Sequence, residues 1–92
     1  MAIIDNGKTS ATVRHALGIA RREVLRAENG DGKFLWFAYR NLNTLIDTAE
    51  NDRPGYLHHK VLKADYEEAK KLRDQVVALA EELGVSLNMF GR

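Results

Sequence analysis

The chain has 92 residues, of which 45% are hydrophobic and 29% charged, with a net charge of +1 and no cysteine. That length leaves no room for a second core, and the small net charge excludes a global field strong enough to drive nucleic-acid binding. The lack of cysteine excludes disulfides and thiol chemistry and fits a reducing compartment.

A single proline and the absence of low-complexity tracts argue against a largely disordered chain. No apolar stretch approaches the roughly 20 residues that span a bilayer. The opening "MAIIDNGKTS" has neither a basic n-region nor a long apolar run, so no signal peptide is expected. The expectation is a soluble, cytoplasmic protein with no membrane association. Residues 1–30 carry five basic and three acidic groups, and residues 51–92 carry seven of each. Any basic surface must therefore come from one helix face.

Residues 1–8 read as a loose arm in which "AII" can pair as a short strand. Thr9 or Ser10 is a natural N-cap, and "ATVRHALGIARREVLRAE" after it is amphipathic. Val13, Leu17, Ala20 and Val24 recur at helical spacing, flanked by Ala16 and Ala27. The spacing predicts a first helix over roughly 10–29, ended by Asn29-Gly30 with glycine as a left-handed C′ residue.

Asp31 can cap a second helix, predicted over roughly 32–50. Leu35, Ala38, Leu42, Leu45 and Ala49 form its stripe, widened by Phe34 and Ile46. Its aromatic start and the preceding "NGDG" leave a hairpin as the competing local structure. "NDRPG" is the clearest break in the chain.

A third helix follows, predicted over roughly 56–83 in one or two pieces. Leu62, Ala69, Val76 and Leu83 fall seven apart, with Leu72 and Leu79 interleaved. Such a heptad pattern suits packing within a bundle or a homodimer through this helix. Asp65 with Glu68 also spells a capping box, which would restart the helix there. The expected fold is all-α, a small three-helix bundle or extended helical hairpin with a short C-terminal apolar tail.

Two surfaces carry candidate binding chemistry. At about 100° per residue, Arg14, Arg21, Arg22 and Arg26 fall opposite the apolar stripe of the first helix, together with His15 and Gly18. Arginines so placed can grip phosphates or nucleic acid through forked hydrogen bonds. They equally suit a solvated face, diluted by Glu23 and Glu28. On the second helix, Trp36 and Phe37 lie off the stripe, and Arg40 sits one turn after Trp36. Trp36, Phe37, Tyr39 and Arg40 belong to residue types that dominate interface hot spots, although aromatics also commonly tie a small core together. Met89 and Phe90, in the apolar tail, are further candidates for contacting a partner.

Other motifs carry less. His58 and His59 are adjacent and so diverge by about 100° on a helix, which does not suit a shared metal ion. No nucleophile or glycine-rich loop accompanies them as an acid–base set. The Gly-Lys-Thr of "NGKTS" lacks the earlier glycine and the preceding strand of a phosphate loop. No metal or cofactor is implied.

The closing "LAEELGVS" resembles the helix-turn-helix family, with Leu79, Ala80, Leu83, Gly84 and Val85 at matching steps. The resemblance implies close helix crossing and a turn at the glycine, followed by a recognition helix for the major groove. Only "LNMFGR" stands in the place of that helix, and helices so short rarely hold together alone. The same letters also spell a Schellman-type cap with Gly84 at C′ and Val85 packing back. "VSLNMF" can lie extended or add a strand to "AII" or to a partner's sheet edge.

Together these features lead to a non-enzymatic protein-binding module. The expected class is a small inhibitor or adaptor of the phage or mobile-element kind, acting by masking a partner surface. Nucleic-acid or phosphate-ligand binding by the first helix is the alternative.

Overall fold

The alternation of apolar and polar residues builds three helices that share one core. A computed structural model describes residues 3–51 and 60–87. A short strand β1 (Ile3–Ile4) precedes helix α1 (Ala11–Glu28) and helix α2 (Leu35–Asn51); strand β2 (Val61–Leu62) then leads directly into helix α3 (Lys63–Leu83). Each helix packs against the other two. The molecule is therefore an all-α three-helix bundle with a minimal sheet.

The predicted stripes form the core. Val13, Leu17, Ala20, Val24 and Ala27 of α1 are buried, as are Leu35, Ala38, Leu42, Leu45, Ile46 and Ala49 of α2. From α3, Ala69, Leu72, Val76 and Ala80 are buried with them. The heptad seam of α3 is thus occupied by α1 and α2 of the same chain. Leu79 packs against the core edge, and Leu83 is 36% exposed.

Phe34 departs from the expected stripe and is 41% exposed. It precedes the first residue of α2, and its carbonyl accepts the Ala38 amide at 3.4 Å. This position in the leading turn, off the buried face, takes its ring out of the core. Asp31 likewise stands before that turn rather than at the helix cap.

Two helix ends share one device. Asp31 N–H donates to Arg26 O at 2.9 Å and Gly30 N–H to Ala27 O at 2.9 Å, with Gly30 at φ 97°. At the end of α3, Val85 N–H donates to Ala80 O at 2.8 Å and Gly84 N–H to Glu81 O at 3.3 Å, with Gly84 at φ 68°. Both are Schellman pairs, whose left-handed residue is least strained as glycine. Residues 85–87 do not continue as a helix, so among the described residues α3 ends in a cap; the place of a recognition helix, 88–92, lies outside them. This end docks on the turn between α1 and α2. A Cβ on Gly32 would come within 2.7 Å of Leu83 Cδ1 and 3.4 Å of Val85 Cγ2.

The third helix begins later than its predicted start at 56, because Val61–Leu62 is extended. β1 pairs with β2 in parallel, Ile3 opposite Val61 and Ile4 opposite Leu62. Ser10 N–H then donates to Lys60 O at 2.8 Å. Thr9 completes the join. Its hydroxyl donates to Asp65 and accepts the Leu62 amide at 2.9 Å.

Asp65 is the third residue of α3, the position from which a capping-box acid normally reaches back to the N-cap amide. Here the Thr9 hydroxyl stands between the two and relays the bond. The expected roles of Thr9 and Ser10 are accordingly corrected. Thr9 serves the start of α3, while Ser10 occupies the α1 N-cap position without a side-chain capping bond, and its Oγ is buried and unpartnered.

Candidate functional site

The α1/α2 face collects the features that the fold leaves unused. Phe37 is 38% exposed, and its ring stands edge-on to Trp36, with centroids 5.5 Å apart and planes at 77°. This is the T-shaped arrangement that aromatic quadrupoles favour. Phe34 lies one turn earlier, with Lys33 Nζ 5.3 Å from its ring centroid. Tyr39 is half-buried and packs against the core. Arg40 is exposed on the outer side of the helix.

Farther along the same face lies a cleft of about 90 Å³ between the first half of α1 and the second half of α2. Thr12, Val13 and Ala16 form one wall, and Asn41, Thr44, Leu45 and Thr48 the other. Within the cleft, Asn41 Nδ2 is buried with no hydrogen-bond partner. A buried donor without an acceptor costs about 1–3 kcal/mol. Thr44, by contrast, satisfies its hydroxyl on its own helix, donating to Arg40 O at 3.0 Å.

Phe34 and Asn41 escape the sequence reading for one reason. The spacing places Phe34 on the buried stripe, and nothing in the pattern singles out Asn41. The signal that finds them is the spacing of Phe34, Phe37, Asn41, Thr44 and Thr48, alternately three and four residues apart. Such a row keeps to one side of a helix.

The arginines of α1 have different fates. Arg21 forms a forked pair with Glu68 of α3, its Nε and Nη2 each 2.6 Å from a carboxylate oxygen. The hydrogen bonds from Arg21 hold the Glu68 carboxyl below its ordinary pKa, against an opposing effect of burial. The same bonds raise the Arg21 guanidinium pKa. Arg26 pairs one turn back with Glu23 at 3.3 Å, and Glu23 is buried. Arg14 and Arg22 are exposed and form no ion pair among the described residues. Gly18, between them on α1, has nothing within 4 Å of where a Cβ would stand.

A separate polar cluster joins α2 to α3. Tyr66 donates its hydroxyl to Glu50 at 2.5 Å, with Lys70 Nζ 4.5 Å from the Tyr66 ring centroid. The bond to Glu50 raises the Tyr66 pKa. His15 is exposed on α1; His58, His59, Met89 and Phe90 lie outside the described residues. Among the described residues no group of three or more His, Asp or Glu side chains is placed to hold a metal ion. No described helix is long and apolar enough to cross a membrane.

Comparisons with known proteins add no relative to this picture: no protein-family model, no curated protein and no solved structure matches the chain.

Proposed function

We propose that this chain is a non-enzymatic protein-binding module whose partner-facing surface is the α1/α2 face, centred on Trp36 and Phe37. It would act as a small inhibitor or adaptor by covering a partner's surface, in the cytoplasm. The observation that carries the reading is the pair of exposed rings, Phe34 at 41% and Phe37 at 38%, on a bundle whose core is already complete without them. Aromatic anchors of this kind supply most of the binding energy in protein interfaces. Arg40 adds a cation on the flank, and Tyr39 stiffens the helix from the core side.

Photo-crosslinking from position 37 tests this. A light-activated phenylalanine analogue in place of Phe37 is expected to join the chain to one discrete protein species, and the product should weaken severalfold with Trp36→Ala. A yield no greater than from the same group at Glu67, on the outer side of α3, would refute the reading.

A second reading rests on Arg14 and Arg22, which lie outside any ion pair among the described residues and flank the open backbone at Gly18. They suit a phosphate-bearing ligand such as nucleic acid, with Arg26 as a weaker third contact. Arg21, engaged by Glu68, would contribute little. Phosphate contacts give binding that falls steeply with salt. Reversing Arg14 and Arg22 to glutamate should abolish retention on a nucleic-acid column at low salt, and unchanged retention would end this alternative.

A further inference from the structure

We propose that the α1/α2 face is a groove that receives an amphipathic helix of a partner protein, one whose apolar stripe is flanked by carboxylates. This rests on the reading above that the face binds protein, and it names the chemistry of the partner segment.

The basic face of α1 and the aromatic start of α2 share this groove. Thr12, Ile19 and Arg26 recur seven apart on α1, as Phe34, Asn41 and Thr48 do on α2. Residues so spaced return to nearly the same side of a helix. Thr12 and Thr48 line the cleft together, so each row runs along the side that faces the other helix. The chain turns back between α1 and α2, which sets Arg26 toward Phe34 at one end and Thr12 toward Thr48 at the other. Arg22 and Phe37 stand farther out on these walls, and both are exposed.

The floor is apolar and uneven. Ile19 is half-buried, the rings of Phe34 and Phe37 are exposed, and beyond them lies the cleft over Val13, Ala16 and Leu45. The cleft, at about 90 Å³, is smaller than the roughly 150 Å³ that takes a benzene ring, so it suits one aliphatic side chain. Leu45 follows Phe37 by eight residues, about 12 Å along the helix at about 1.5 Å per residue. Anchors two turns apart on a docked helix match that separation. Both walls are helices whose backbone groups are bonded internally, so the groove offers an extended strand no ladder. Its occupant must satisfy its own amides, as a helix does. The Asn41 amide is sealed below the floor and takes no part.

Charge selects which helix fits. Arg22 forms no ion pair among the described residues, and Lys33 Nζ lies 5.3 Å from the Phe34 ring centroid; both residues are exposed. Arg26 is paired with the buried Glu23. Neither row contains a carboxylate: Glu28 and Asp31 lie past the ends of both, and Asp47 is held by Asn51 at 2.6 Å. The rim at the aromatic end is therefore cationic, and carboxylates beside the partner's apolar stripe complement it.

Two synthetic peptides of about 18 residues, long enough to cover the rows at about 1.5 Å per residue, test this. They carry the same leucine stripe, flanked in one by glutamates and in the other by lysines. In calorimetric titration at low salt, the glutamate peptide is expected to bind at least about tenfold tighter. Reversing Arg22 and Lys33 to glutamate should erase that preference. Reversing Lys63 and Lys71, exposed on α3, makes the same change in net charge and should leave it. Phe37→Ala removes a ring and Thr44→Leu covers the cleft. Each should weaken the glutamate peptide at least about fivefold while circular dichroism shows the helices retained.

Equal binding of the two peptides, loss of the preference in the α3 variant, or an affinity that ignores Phe37→Ala would each overturn the proposal. So would a single-stranded oligonucleotide bound tighter than the glutamate peptide, which assigns the cations to the second reading. If the peptides fail while the group at position 37 captures a discrete protein, the acidic helix is excluded and the protein-binding reading stands. If the peptides fail and position 37 captures nothing, both fall.

Discussion

The two sides of α1 show opposite treatments of polar groups. On the side facing α3, most bonds are completed within the chain, Ser10 Oγ excepted: Arg21 clamps Glu68 with two contacts of 2.6 Å, and the Thr9 hydroxyl joins Leu62 to Asp65 at the base of the same helix. On the side facing α2, the cleft holds the Asn41 amide without an acceptor, and Phe34 and Phe37 project into solvent. Helices of similar composition thus meet in one largely bonded junction and one that leaves a cleft with an orphaned amide and two exposed rings beside it. Buried polar groups are satisfied almost everywhere in folded proteins; of the two exceptions, Ser10 Oγ and Asn41 Nδ2, only Asn41 lines a cleft.

The largest effect should come from the core that both junctions share. Leu42 is 0% exposed, and Leu42→Ala should cost about 2–5 kcal/mol in chemical denaturation, from lost burial and the cavity left behind. A loss below about 1 kcal/mol would mean that the two junctions do not depend on a common core.

Next comes the sealed side. Thr9→Val keeps the shape but removes the relay, leaving the part-buried Leu62 amide without its acceptor and Asp65 without its donor. The expected loss is about 1–3 kcal/mol, measurable as a lowered denaturation midpoint at unchanged slope. The end of α3 is somewhat less sensitive: Gly84→Ala forces a side chain into the left-handed region and should cost about 1 kcal/mol.

The open side should respond with the opposite sign. Asn41→Leu removes an orphaned donor from an apolar cleft. The dilute single chain should gain up to about 1 kcal/mol, whereas a sealed junction would lose stability from such a change. Smallest is the Arg21–Glu68 pair, whose side chains are 49% and 35% exposed. Arg21→Ala should cost about 0.2–1 kcal/mol, less in high salt. Because the folded-state pKa of Glu68 is depressed, its contribution is present at neutral pH. It is lost as pH falls through and below the ordinary glutamate range. Denaturation of Arg21→Ala at acidic pH should therefore match the unmodified chain more closely than at pH 7.

Much of this architecture was legible because helical burial is periodic. Val13, Leu17, Ala20 and Val24, like Leu35, Leu42 and Ala49, announce their faces by spacing alone, and Gly84 announces its cap by residue type. The strand pairing was not legible, since two residues carry no period and their partners lie far away in the chain. Thr9 was read as a local cap because its true partner, Asp65, is 56 positions distant. Arg21 and Arg22 are adjacent and look alike in the sequence; only the placement of α3 assigns Glu68 to one of them. The α1/α2 row was hidden by its chemistry, because a run of Phe, Asn and Thr matches neither a core stripe nor a charged face. The proposed interaction surface is therefore the part of the molecule that binary patterning describes least well.

The Thr9–Asp65 join also has a consequence for the order in which the chain folds. The three helices and the short turn between α1 and α2 rest on local contacts, which form early. Joining residue 9 to residue 65 requires closure of a loop that spans most of the sequence, and such long-range contacts are entropically costly until the helices are in place. The join is then a late event, absent from the folding transition state. Thr9→Val should accelerate unfolding by most of its full equilibrium effect and leave the refolding rate nearly unchanged. On this view residues 3–10 act as a latch on the lifetime of the folded bundle.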